Sequence, residues 1–324
     1  MLTLTLASAG SSSSGVLNFL EAVEIGITTG AIYALVALGY TMVYGIIELI
    51  NFAHGDVFMW GTVVTLVIVQ ALGLNGTLSG VGLIGVIILL VAVAMIFCGV
   101  LNMTIERVAY RPLRRAPRLA PLIAAIGVSF ILENIAELWR GPGQVSFPAL
   151  FPTTSLITLG GGAFDLKYRD VFIVVLAVAL MLALGRFIQA TKLGRAMRAT
   201  AQDPEAAALM GVDINRTISV TFLIGGALAG AGAVIFALSS GGYVWFFTGF
   251  QLGLYAFTAA VLGGIGNVTG AVLGGFLIGL VEGLSITYVP QGSGWSPAII
   301  FAILVLILVF RPSGLLGTQV PDKA

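Results

Sequence analysis

The chain is written in long apolar blocks separated by short polar or glycine-rich joints. A helical bilayer crossing needs about 20 apolar residues, and seven blocks meet that length within a few residues: 25–47, 57–74, 81–103, 119–139, 171–188, 217–238 and 296–310. They show no period-two alternation, so they read as helices and not as strands of a membrane barrel. An eighth apolar stretch, 251–283, is interrupted by Gly263-Gly264, Gly266-Asn267 and Gly270. The predicted fold class is all-α: a single polytopic helical bundle with seven clear spans plus a re-entrant or broken-helix hairpin at about 251–283.

The basic residues orient this map. None precedes Arg107; then Arg107, Arg111, Arg114, Arg115 and Arg118 crowd the third connection, and Arg186, Lys192, Arg195, Arg198 and Arg216 flank the fifth. Connections rich in Lys and Arg stay cytoplasmic, which places the N-terminus outside. Six crossings then bring the chain to Gln251 outside, whereas Arg311 and Lys323 call for an inward tail. The 251–283 stretch must therefore enter and return, yet it is shorter than the roughly 40 residues that two full spans require. Two half-helices meeting at 263–270 satisfy both conditions. Such a break is tolerated only inside protein or beside a watery cavity. Residues 1–17 read as a flexible tail, 140–170 as an external loop and 192–213 as a cytoplasmic coupling loop.

Composition agrees: 58% of residues are hydrophobic and 9% charged, against roughly 25% charged in soluble domains. A net charge of +1 argues against nucleic acid as a partner, whereas membrane lipid is an expected one. With one cysteine (Cys98) and one histidine (His54), neither a disulfide nor a multi-histidine metal site is available. No cofactor or metal is expected. There is no Gly-Lys pair and hence no phosphate-binding loop; Gly80-Val81-Gly82-Leu83-Ile84-Gly85 lacks the preceding strand that a dinucleotide fingerprint needs. Catalysis by the chain itself is not expected.

Candidate functional residues cluster in the fifth connection. Asp203 suits an N-cap, Pro204 the first helical position and Glu205 the positive end of the helix dipole, with Gly211 placed to end the turn. The result is a short alanine-rich helix containing Ala206 and Ala207, too short to stand alone unless docked. A helix lying on the bilayer is the weaker reading, because its apolar face lacks large residues. Arg195, Arg198, Asp203, Glu205, Ala206, Ala207 and Gly211 are the candidate coupling residues. Tyr44, Asn51, Tyr255, Thr258 and Asn267, polar groups near breaks in apolar helices, are the candidates for a solute pathway. Glu133 and Glu137 lie in a span, with Arg140 in reach for an ion pair. Lys167 and Arg169, in the external segment, suit docking of an external protein with acidic residues. The glycine pairs at 226/230, 266/270, 270/274, 275/279 and 279/283 have the spacing of close helix packing.

Several motifs are familiar together. Residues 30–45, Asn51-Phe52-Ala53-His54-Gly55-Asp56, Glu106-Arg107-Val108-Ala109-Tyr110-Arg111-Pro112-Leu113, Gly194-Arg195-Ala196-Met197-Arg198-Ala199, Leu262-Gly263-Gly264-Ile265-Gly266-Asn267 and Arg311-Pro312-Ser313-Gly314-Leu315-Leu316-Gly317 resemble, in order, the bacterial high-affinity branched-chain amino acid permeases, the LivH-like group. The resemblance implies an importer of the bacterial inner membrane that couples ATP hydrolysis by partner subunits to solute uptake. Its partners would be a second homologous permease, two ABC ATPase subunits and a periplasmic or extracellular solute-binding protein. Related importers of urea or amides share much of the pattern; an ATP-independent secondary transporter is the more distant alternative. Many relatives carry a lysine where this chain has Tyr255, which leaves the branched-chain assignment open at that position.

Overall fold

The computed structural model describes residues 2–317 apart from 115, 118, 153, 160–163, 240 and 241, with side chains from Gly15 onward. Arg115, Arg118 and Lys323 lie outside that description, as do the side chains before Gly15 of the expected tail over 1–17, whose backbone from Leu2 belongs to the first helix. The helices are α1 (Leu2–Ile47), α2 (His54–Ala71), α3 (Gly80–Ile105), α4 (Leu119–Arg140), α5 (Tyr168–Ala190), α6 (Lys192–Gln202), α7 (Pro204–Leu209), α8 (Ile214–Leu238), α9 (Thr248–Gly263), α10 (Val268–Tyr288) and α11 (Gly292–Phe310). Among the described residues, eight helices are long and apolar enough to cross a bilayer, and α9 is a shorter ninth. The protein is the expected all-α bundle.

Burial sorts these helices into two shells. The apolar windows of α1 and α8 are 78% and 72% buried, whereas that of α11 is 11% buried. Peripheral α3, α4, α5 and α11 turn large apolar side chains such as Ile96, Phe130, Val175 and Val309 outward. Lipid, as apolar as the core, takes the place of a polar outer face and explains why these peripheral spans turn apolar side chains outward along their middle.

The inner shell is held by glycine. Gly26 and Gly30 of α1 meet Leu280 and Phe276 of α10, while a Cβ on Gly279 would fall 2.3 Å from the Gly26 carbonyl oxygen and one on Gly275 2.5 Å from Ala34 Cα. Gly226 and Gly230 of α8 sit equally close to Cys98 and Ala94 of α3. The small-residue spacings thus serve packing within the chain.

The predicted hairpin is present, with different proportions. Its arms run from Thr248 to Tyr288, and α10 alone is long enough to span. The predicted stretch ended at Gly283 because Glu282, Ser285 and Thr287 interrupt the apolar run. Inside the bundle Tyr33 donates to Glu282, and Thr287 donates to the Gly283 carbonyl at 2.9 Å, so the helix continues. The break itself, at 264–267, lies beside Gly45 near the inner end of α1. Gly264 and Gly266 adopt φ of +104° and +92° there, backbone that other residues rarely take. The tail finishes this corner. Leu315 and Leu316 donate their amides to the carbonyls of Leu262 and Gly263 at 2.8 and 3.0 Å, satisfying the end of α9.

The external segment is not a plain loop. Strand β1 (Val145–Ser146) pairs antiparallel with β4 (Tyr243–Val244), and β2 (Ser155–Leu159) pairs antiparallel with β3 (Phe164–Lys167). Trp245 adds a hydrogen bond to the Pro142 carbonyl at 3.0 Å.

Candidate functional site

Three places carry chemistry: the capped α6–α7 segment, a buried polar junction above it, and a vestibule at the opposite end of the bundle. At the inner surface, Thr191 caps α6 by accepting from Gly194 N at 3.0 Å. Asp203 caps α7 by accepting from Glu205 N and Ala206 N at 2.9 and 3.0 Å, and Gly211 follows with φ of +84°. Arg195, Glu205 and Ala206 are exposed, whereas Ala207 is buried. Arg198 donates to the Ile188 carbonyl and so fastens α6 beneath α5. The helix nevertheless ends in large apolar groups: Leu209 and Met210 are 89% and 85% exposed. The sequence reading of a surface without large residues missed them because it stopped at the alanines.

A narrow crevice joins α6 to the helical corner described above. Met197, Arg198 and Ala201 line it on one side, and Gly45, Gly266 and Val268 on the other. α6 also packs directly against α1, and the crevice lies between α6 and the α9–α10 turn.

The junction above centres on Asn51, one of the polar groups that the sequence places near a break between apolar helices. Gly39 lies against His54, the first residue of α2. From Gly39 to the end of α1 is about 12 Å at helical rise, so α2 starts well inside the bundle and 48–53 folds back into it. Asn51 is buried; it donates to Asn102 Oδ1 at 3.1 Å and accepts from the Tyr110 hydroxyl at 3.0 Å. Asn102 in turn donates to the Phe222 carbonyl at 2.7 Å. A π-helical turn over Glu106–Tyr110 continues α3 and aims Glu106 at Arg114 and at Ser219, whose hydroxyl donates at 2.5 Å. Burial lowers the Arg114 guanidinium from its ordinary value, against the opposing pull of Glu106. Asn102 and Ser219 were not singled out from sequence, and Glu106 and Tyr110 only as part of a motif, since these groups become informative through partners up to 120 residues away.

The vestibule opens at the other end. It is a cavity of about 820 Å³ between the outer parts of α1, α10 and the β3–α5 segment. Glu24 and Glu282 face it from the helices, Lys167 and Arg169 from the segment, and Tyr33 and Ile32 form part of the wall. Arg169 pairs with Asp170 at 3.0 Å. Burial, and then the Glu282 carboxylate, push the Tyr243 phenol at its rim above the usual range. Lys167 and Arg169 thus line an opening of this chain. Arg140 reaches Gln70 at 3.3 Å and forms no ion pair with Glu137 among the described residues.

The five pathway candidates do not surround one cavity. Tyr255 packs edge-on against Tyr33 at 5.7 Å, next to the vestibule. Thr258 donates to its own helix at 2.8 Å. Tyr44 borders a tight gap near Tyr40 and Phe257. Asn267 caps α10 through Gly270 N at 3.1 Å and donates to the Leu316 carbonyl at 2.8 Å. Asn51 is occupied as described.

With this geometry in place, comparison with known proteins is direct. Residues 22–308 match the family described as branched-chain amino acid transport system / permease component. The high-affinity branched-chain amino acid transport system permease protein LivH of Salmonella typhimurium is 40% identical over 95% of this chain and 98% of that protein. The corresponding protein BraD of Pseudomonas aeruginosa is 40% identical over 94% of this chain and 98% of its own. A probable branched-chain amino acid permease LivH of Methanocaldococcus jannaschii is 27% identical over 88% of each. An integral membrane bundle matched along nearly its whole length in this way belongs to the branched-chain amino acid transport permease family, as a multi-pass permease subunit of the cytoplasmic membrane.

Proposed function

We propose that the chain conducts branched-chain amino acids inward, driven by two ABC ATPase subunits that dock on α6 and α7, with a second permease alongside and an external binding protein delivering the solute. The observation that carries this reading is the pair Leu209 and Met210, exposed at the end of a six-residue capped helix. A helix of that length is unstable in water without a partner, and large apolar side chains on an aqueous face mark a docking site. Motion of α6 is then passed to α1, which it packs against and whose inner end lies beside the hairpin at Gly266.

The vestibule suits the solute class. A zwitterion with an aliphatic side chain needs an anionic group for its ammonium, cationic groups for its carboxylate and an apolar wall. Glu24 and Glu282, Lys167 and Arg169, and Ile32 supply these in one cavity. Its size falls in the range of about 300–1,000 Å³ common for small-molecule sites.

The test is the double variant Leu209→Asp, Met210→Asp. Both positions are exposed, so the membrane bundle is expected to insert normally while co-purification of the ATPase falls at least tenfold. Undiminished co-purification would refute the docking assignment. Solute flux through proteoliposomes holding the permeases without ATPase would favour a secondary transporter instead.

A further inference from the structure

A second polar cavity, of about 410 Å³, lies at the inner end of α3 where it meets the start of α8, and neither docking nor the vestibule uses it. Arg107, Arg111 and Arg216 line it, with Met103 and Val220 toward the bundle. The carboxylates nearby are engaged. Asp213, which also lines the cavity, accepts from Arg216 N at 3.0 Å as the cap of α8. Glu106 is held by Arg114 and Ser219. Among the described residues, none of the three lining arginines has an ion pair. Three guanidinium groups against the single Asp213 carboxylate leave the lining with a net positive charge, and beside the positive end of a 25-residue helix that charge favours an anion.

The surface leading to the cavity says which anion. Ile96, Val100, Met103 and Arg107 follow one another at four-, three- and four-residue steps, which puts them on one face of α3. Ile96 and Val100 are 67% and 51% exposed. This face is an apolar strip running out of the cavity into the hydrocarbon. A free anion has no use for such a strip, whereas an amphiphile fits both parts. We propose that the cavity binds the phosphate of an anionic phospholipid of the inner leaflet, with an acyl chain laid along Ile96 and Val100. Arginine suits the task because its planar fork grips two phosphate oxygens at once, and basic pockets between helices on the cytoplasmic side are the usual receptors for such headgroups.

The experiment is native mass spectrometry of the full chain released from nanodiscs of equal phosphatidylglycerol and phosphatidylcholine. The wild type is expected to retain phosphatidylglycerol at least fivefold over phosphatidylcholine. The triple variant Arg107→Gln, Arg111→Gln, Arg216→Gln is expected to lose that preference. Arg186→Gln, which removes a cytoplasmic charge outside the cavity, is expected to keep it. Since loss of three arginines also weakens the topological signal, the triple lysine variant serves if the glutamine variant fails to insert, with an expected loss of at least threefold. Equal retention of the two lipids by the wild type, or a wild-type preference in either triple variant, would overturn the proposal. So would displacement of the lipid by millimolar inorganic phosphate, which would assign the cavity to a free anion. Unchanged lipid preference with lost ATPase co-purification in the triple variant would give it to the ATPase instead.

Discussion

The seam between α1 and α10 makes a quantitative prediction through Gly279→Ala. The new Cβ would lie 2.3 Å from the Gly26 carbonyl oxygen and 2.4 Å from both N and Cα of Gly30. Ordinary contact begins at 3.4 Å, so the deficit is about 1 Å, and the atoms in the way are backbone. The helices must part. A gap of that size forfeits a quarter to a half of each dispersion well; across some tens of atom pairs of ~0.1–0.2 kcal/mol this is about 1–4 kcal/mol, matching the range of about 1–3 kcal/mol for overpacked cores. Gly185→Ala in α5 is the control, because nothing lies within 4 Å of its added Cβ. There the substitution only gains the helix propensity of alanine, about 1 kcal/mol. Thermal unfolding in one detergent should place the midpoint of Gly279→Ala below that of wild type and that of Gly185→Ala above or level with it. Equal shifts for the two variants would mean that the seam has slack, and the close-packing argument would be wrong.

Two further outcomes follow from polar groups. Asp203→Ala removes the acceptor that two α7 amides share and should cost about 1 kcal/mol of local stability; faster hydrogen exchange confined to 204–209 is the readout, with Asp203→Asn retaining protection. Glu282→Gln keeps the hydroxyl of Tyr33 supplied with an acceptor but removes the vestibule charge opposite Lys167 and Arg169. Uptake by the assembled importer should fall severalfold with ATPase docking unchanged, and wild-type uptake would exclude Glu282 from solute handling.

What could be read from the chain beforehand was whatever depends on local composition. All-round apolar blocks announced the spans, and the asymmetry of Arg107–Arg114 against Arg140, together with the tail charge at Arg311, required the hairpin. The caps at Asp203 and Gly211 were equally visible, because a cap is made by neighbours in sequence. The fold-back of 48–53 was hidden. Asn51 and His54 sit in a short polar connection whose depth shows only when Asn102, Tyr110 and Gly39 arrive from other parts of the chain to pack against them. The vestibule was hidden for the same reason: Glu24 and Glu282 are isolated acids in apolar runs, and only the antiparallel packing of α1 on α10 brings them to one opening with Lys167 and Arg169.

The way the tail closes α9 also bears on how the molecule is made. The carbonyls of Leu262 and Gly263 find their amide partners at Leu315 and Leu316, which leave the ribosome after α10 and α11 have been synthesised. Until then that corner has to borrow water or lipid headgroups for its hydrogen bonds. Completion of this corner is thereby tied to synthesis of 315–316, and a chain truncated just after α11 would carry the described spans yet leave α9 unsealed.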